Sequence, residues 1–152
     1  MKNAINFNSK IIGGSIAPSP IPWQVQMRRD SWGFCGGTIL DEYTILTATH
    51  CKITSNDNGY AGHRSFESGP KYQRFSVKKV INKSWDYSLV KLKQPLMFTN
   101  YVQPACLPTA NFAHRDVAIA SGWGKYQVRK LVFDFNTSTI FFIIILNFEF
   151  GS

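Results

Sequence analysis

The chain reads as an all-β protein built as a sandwich or a barrel. Two observations carry that reading. Short runs rich in β-branched and aromatic residues recur through residues 11–124, and turn signals separate them: PSPIP at 18–22, NDNG at 56–59, SGP at 68–70 and QP at 94–95. Little in the same span shows the 3.6-residue apolar period of an amphipathic helix.

The candidate strands follow in chain order. Trp23–Arg28 leaves the proline-rich turn, and Phe34–Leu40 and Tyr43–Thr47 come next, the latter opening on the apolar run Tyr43-Thr44-Ile45-Leu46. Tyr72–Val80 contains Arg74-Phe75-Ser76-Val77-Lys78, where apolar residues alternate with polar ones as a half-buried strand requires. Tyr87–Leu92 and Val117–Ser121 complete the set.

At 152 residues the chain is about one domain long, and 44% hydrophobic against 17% charged residues can supply a core. The net charge is +8, but the bases are scattered: Arg28-Arg29, Lys78-Lys79, Lys91, Lys93, Lys125 and Arg129-Lys130. No dense basic run is interleaved with aromatics, so a solvated surface is favoured over nucleic-acid binding. Such a surface still steers acidic partners. The opening MKNAINFNSK has no apolar core of a signal peptide. After Lys130 the composition changes. LVFDFNTSTIFFIIILNFEF holds six of the twelve Phe, and Ile140–Leu146 is apolar at all seven positions. That run is far short of the roughly 20 residues of a transmembrane helix.

The stretch TATHC at 47–51 sets His50 beside Cys51 at the end of a strand candidate. Imidazole and thiolate are zinc ligands, but no C-x-x-C or H-x-x-x-H pair supports a metal site. There are three cysteines, Cys35, Cys51 and Cys106, so at least one has no partner within the chain. Cys35 lies sixteen residues before Cys51, and two antiparallel strands could bring them within disulfide reach. Asp86 heads the strand candidate of Trp85-Asp86-Tyr87-Ser88-Leu89-Val90-Lys91-Leu92. A carboxylate accepting from a histidine Nδ1–H fixes the tautomer of the ring. Lys10 stands directly before Ile11-Ile12-Gly13-Gly14, and cleavage there would release a new α-amino group on Ile11.

Taken in order, IIGG (11–14), PWQVQ (22–26), FCGGTIL (34–40), TATHC (47–51), DYSLVKL (86–92), VQPACLP (102–108) and SGWGK (121–125) resemble the N-terminal half of a trypsin- or chymotrypsin-like serine protease. The resemblance implies one antiparallel β-barrel over 11–124, the first of a two-barrel fold, with the second barrel missing. It implies that His50 is a general base and Asp86 the carboxylate that orients it. It implies a Cys35–Cys51 bridge, activation cleavage between Lys10 and Ile11, protein or peptide substrates, an extracellular location, and no cofactor or metal. Residues 1–10 are then a pro-segment or an artefactual start, and 125–152 a hydrophobic tail foreign to the family.

The chain departs from the family in one decisive respect. The nucleophilic serine of the family lies in a G-D-S-G-G-P stretch, and these 152 residues contain none; only Ser138 and Ser152 follow SGWGK, in other settings. The expectation is therefore a truncated serine-type endopeptidase, inactive as this chain. The alternative is a non-enzymatic homologue that uses the barrel as a binding module. A retained His50 and Asp86 weigh against that alternative.

Overall fold

The computed structural model describes residues 17–18, 20–30, 32–62, 72–83, 85–107 and 121–123. Among them run β1 (Gln24–Arg29), β2 (Trp32–Asp41), β3 (Thr44–Ala48), β4 (Asn58–Ala61), β5 (Gln73–Asn82) and β6 (Tyr87–Leu92), with a single 3₁₀ turn at Thr49–Cys51. Every pairing is antiparallel. The strands close on themselves in the order β1-β2-β3-β6-β5-β4, so the expected barrel is present and the described strands leave no edge open.

Alternation explains the closure. Along β5, Phe75 and Val77 are buried between exposed Arg74, Ser76 and Lys78; along β6, Ser88, Val90 and Leu92 point inward. Phe75, Val77, Val90 and Leu92 meet Val25 and Met27 of β1, Ile39 of β2, Ile45 of β3 and Ala61 of β4 in one apolar core. Leu96 and Val102, from the segment after β6, cap the same core. That segment is tied to the barrel through its backbone: Leu96 N–H donates to Glu42 O at 2.8 Å, Ala105 N–H to Ile39 O at 2.9 Å, and Gln103 N–H to Pro22 O at 3.0 Å. No described helix is long and apolar enough to cross a membrane.

The strand expectations need specific corrections. β6 has the bounds read from the sequence, and β1, β3 and β5 differ by one or two residues at each end. β2 is longer, since the ladder with β1 continues to Arg29↔Trp32 past a bulge between Met27 and Arg28. The clear miss is β4. NDNG reads as a turn, yet Asn58 and Gly59 open a strand that pairs with β1 on one side and β5 on the other. The reason is steric. A Cβ at Gly59 would sit 2.6 Å from Gln26 O and 2.4 Å from the Phe75 ring, so this glycine marks close backbone approach within a sheet and not a reversal of the chain. Of the proposed strand Val117–Ser121, residues 117–120 lie outside the described residues and Ser121 is in no strand. The SGP turn at 68–70 also lies outside them.

Gly59→Ala is expected to destabilise the barrel by about 1–3 kcal/mol, the usual cost of forcing extra volume into a packed site. A thermal melt checks it; an unchanged Tm would show that Phe75 moves aside freely and that the close approach is not a constraint.

Candidate active site

The final rung of the β3–β6 ladder pairs Ala48 with Tyr87. Beyond it β3 runs into the 3₁₀ turn that carries His50, while β6 is preceded by Asp86, so the two residues meet at one rim of the barrel. The His50 backbone N–H donates to Asp86 Oδ1 at 2.9 Å, and His50 Nδ1 lies 2.5 Å from Oδ2. Thr49 N–H donates to the Asp86 carbonyl at 3.2 Å. Burial alone would raise the Asp86 pKa; the hydrogen bonds from the His50 ring and backbone, the His50 charge and the Thr49 amide outweigh it and leave the carboxyl below its ordinary value. Asp86 is thus a carboxylate at neutral pH, an acceptor only, and the proton on this side of the ring belongs to Nδ1. Nε2 is then the ring's basic nitrogen.

The two side chains are 55% and 54% exposed, so the pair sits open to solvent. Its geometry comes from the backbone around it. Trp85 and Asp86 both have left-handed φ, 66° and 57°. Asp tolerates that region, but for Trp it costs about 1–2 kcal/mol. Trp85 is 91% exposed and repays none of this by packing. The three contacts to Asp86 hold the turn in place.

The histidine turn is fixed on both flanks. On one side Cys51 is bonded to Cys35 of β2, with Cα atoms 6.1 Å apart, as the resemblance implied. The bridge also removes Cys51 from consideration as a metal thiolate, and no group of three or more His, Cys, Asp or Glu suited to a metal occurs among the described residues. Cys106 is an exposed free thiol. On the other side lies an ion pair that sequence reasoning missed. Arg29 donates from Nε to Asp57 Oδ1 at 2.8 Å and from Nη2 to Oδ2 at 2.9 Å, and Nη2 also reaches Lys52 O at 3.0 Å. Lys52 is the left-handed residue, φ 49°, that ends the 3₁₀ turn. Asp57 is almost fully buried, and Thr54 supplies two further donors, N–H at 2.7 Å and Oγ1 at 3.0 Å. Burial pushes its pKa up, but Arg29 and Thr54 overcome that, and the net shift is downward. The partner Arg29 is held above its ordinary value by the same hydrogen bond. Nothing in the pattern around Arg29 or Asp57 signals the pair, because 28 residues separate them.

The rim is completed by bonded hydroxyls. Thr49 Oγ1 and Ser88 Oγ are 2.9 Å apart, Ser88 Oγ donates to Asn82 Oδ1 at 2.8 Å, and Thr47 Oγ1 donates to Gly36 O at 2.8 Å. Of the residues proposed from the sequence, His50, Asp86, Cys35 and Cys51 come together here. The other two, Lys10 and Ile11, lie outside the described residues.

Two outcomes are expected. Because the folded Asp57 pKa is depressed below the unfolded value of about 3.9, the pair's stabilisation is fully present above that value and is lost as pH falls through the folded pKa. Asp57→Asn is therefore less stable than wild type at pH 7, and the gap in Tm closes below about pH 4; a gap independent of pH would contradict the ion pair. Trp85→Gly removes the left-handed strain at the expense of a more flexible unfolded chain, for a net gain of up to about 1 kcal/mol by chemical denaturation. Clear destabilisation would show that the Trp85 ring packs in solution.

A protein-family model described as Trypsin matches residues 11–140, most of the chain, and reaches past Gly124, where the recognisable motifs end.

Proposed function

Since the chain belongs to the trypsin family, we propose that it carries the histidine–aspartate half of a serine endopeptidase active site and has no turnover by itself. The observation that supports this reading is the rim geometry: an ionised Asp86 accepts from the Nδ1 side of His50, the arrangement in which Nε2 takes a proton from a serine hydroxyl and returns it to a leaving amine. His50 is the general base and acid, and Asp86 orients it and stabilises the imidazolium. The Cys35–Cys51 bridge holds the turn that presents the ring. Cleavage after Lys10 would free the Ile11 ammonium as in activation of the family's zymogens. Peptide bonds of proteins are the substrate class, and the location that family membership suggests is extracellular, in keeping with a disulfide.

The 152 residues hold no serine in a G-D-S-G-G-P setting. A His–Asp pair without a nucleophile has no covalent route, and the loss of even one oxyanion donor costs about 2.7–4 kcal/mol in transition-state stabilisation. The binding-module alternative draws on the same absence, but it gives no reason for the ordered contacts between His50 and Asp86.

The test has two arms. The purified chain should neither hydrolyse Lys or Arg esters nor label with a fluorophosphonate; turnover that vanishes in His50→Ala would overturn the silence. The second arm grafts residues 11–124 onto the second barrel of an active trypsin. A folded graft should hydrolyse peptide bonds, and Asp86→Asn should lower its kcat by about 10⁴-fold, the loss found for that change in the Ser–His–Asp triad. A folded graft that is inactive, or one indifferent to His50→Ala, would refute the catalytic roles.

A further inference from the structure

The outer face of β5 and β6 carries a concentration of charge that the barrel does not need. The β5–β6 ladder pairs Val77 with Leu92, then slips, and resumes with Lys79 opposite Lys91. The extra residue is Lys78. In an unbroken pleat, two successive residues face opposite sides of the sheet; at this bulge both Lys78 and Lys79 are exposed, and Val80 then returns inward opposite Val90. Lys93 joins them, since its N–H donates to Ser76 O at 3.0 Å. Arg74 lies exposed farther along the same strand. Like charges opposed in a ladder destabilise a sheet; here the Lys91 ammonium turns away from Lys79, toward β3, where the row continues through Thr44 to Asp41. The strands β4, β5 and β6 contain no Asp or Glu. Among the described residues, Lys78, Lys79 and Lys93 form no ion pair, and Lys91 Nζ donates to a neutral partner, Thr44 Oγ1, at 2.5 Å. Bulges are over-represented at sheet edges, at barrel rims and beside active sites, where they re-aim a side chain.

We propose that this face, centred on Lys78, Lys79 and Lys93, is a docking surface for a linear sulfated glycan. Single exposed ion pairs contribute little and are screened by salt, so a ligand that fits must bring many fixed, closely spaced negative charges. The face is extended: Arg74 to Lys79 spans about 17 Å at roughly 3.4 Å per residue. Its bases are mostly lysines, point charges without the planar fork that selects single phosphate or carboxylate groups, which suits a repeating sulfated chain over one phosphorylated residue. Nucleic acid fits less well. Tyr60, the aromatic nearest Arg74 in the ladder, already packs edge-on against Tyr72, with ring centroids 5.3 Å apart, and lies under Arg28, so the ring beside Arg74 is already engaged and is not a stacking platform for a base. The Cys35–Cys51 bridge belongs to an oxidising compartment, where sulfated glycans are the common linear polyanions.

Heparin serves as the probe, with the full chain. Wild type should elute from immobilised heparin at higher salt than from a sulfopropyl matrix. The slope of log affinity against log salt should fall by about one for each lysine removed in Lys79→Ser and Lys93→Ser, as counterion release requires. Lys52→Gln with Lys83→Gln removes the same charge away from the bulge and should leave the heparin slope nearly unchanged. The Tm of Lys79→Ser should nearly equal that of wild type, because the Lys79 side chain is exposed and forms no ion pair among the described residues. Equal losses in the patch and control variants would reduce the effect to net charge and overturn the proposal. So would duplex DNA binding as tightly with the same dependence on Lys79 and Lys93, or a lowered Tm showing that these lysines serve the fold.

Discussion

The register between β3 and β6 is the constraint on which the rim depends. Five successive pairs run from Thr44↔Lys91 to Ala48↔Tyr87. A slip of one residue would turn every side chain to the opposite face. β3 is buried on both faces, so β6 decides: fully buried Val90, opposite Ile45, would give way to half-buried Leu89 or Lys91, and exposing it costs up to about 1.5–3 kcal/mol. The inward rung nearest the rim is polar, Thr47 opposite Ser88, and both hydroxyls are buried and bonded. A slipped register would strand them as unsatisfied groups, at about 1–3 kcal/mol apiece. Apolar and polar rungs therefore specify the same alignment, and that alignment brings the turn bearing His50 beside Asp86.

Register alone would leave the histidine turn free to swing, since it projects past the last rung. Two cross-links of different kinds restrain it. The Cys35–Cys51 bridge ties its last residue to β2. The Arg29–Asp57 pair ties the following loop to β1, and through Lys52 O it grips the residue that ends the turn. Asp57 is buried while the Arg29 side chain is about half exposed. Losing the arginine would strand a buried carboxylate at a cost of several kcal/mol; a well-packed apolar pair could replace both partners with little loss. The ion pair therefore specifies a loop conformation more than it adds stability. The stacking of the guanidinium 4.5 Å over the Phe34 ring, next to Cys35, brings both restraints onto one segment of β2.

Most of the barrel was legible in the sequence because its strands obey the period-two rule and its turns use ordinary turn residues. Phe75 and Val77 between polar neighbours name their own orientation. β4 was not legible. Its four residues begin with Asn-Gly, the strongest local turn signal there is, and only the approach of Gln26 O and Phe75 to Gly59 gives that glycine a sheet meaning. The bulge at Lys78 was equally hidden, since a slip in pairing leaves no mark in a single strand's pattern. At the site, His50, Asp86, Cys35 and Cys51 could be named because each sits in a short motif whose order along the chain is distinctive. Arg29 and Asp57 could not. Each is an unremarkable surface-type residue in its own neighbourhood, and the pair exists only after β1 and β4 have closed the barrel.

The openness of the His50–Asp86 pair bears on what the rim can do chemically. Orientation survives exposure, because the backbone N–H of His50 and the amide of Thr49 fix Asp86 whatever the surrounding dielectric. Stabilisation of a charged imidazolium does not survive as well. Two unit charges about 4 Å apart attract by about 1 kcal/mol in bulk water and by about 4 kcal/mol where the effective dielectric is near 20. With both side chains more than half exposed, the pair lies toward the weaker end of that range. A surface laid over the rim would raise the attraction between Asp86 and a protonated His50 and exclude competing water in the same step. The His50 ring is therefore positioned by its own barrel, and in the role proposed for it a serine would have to be delivered on the surface that covers the rim.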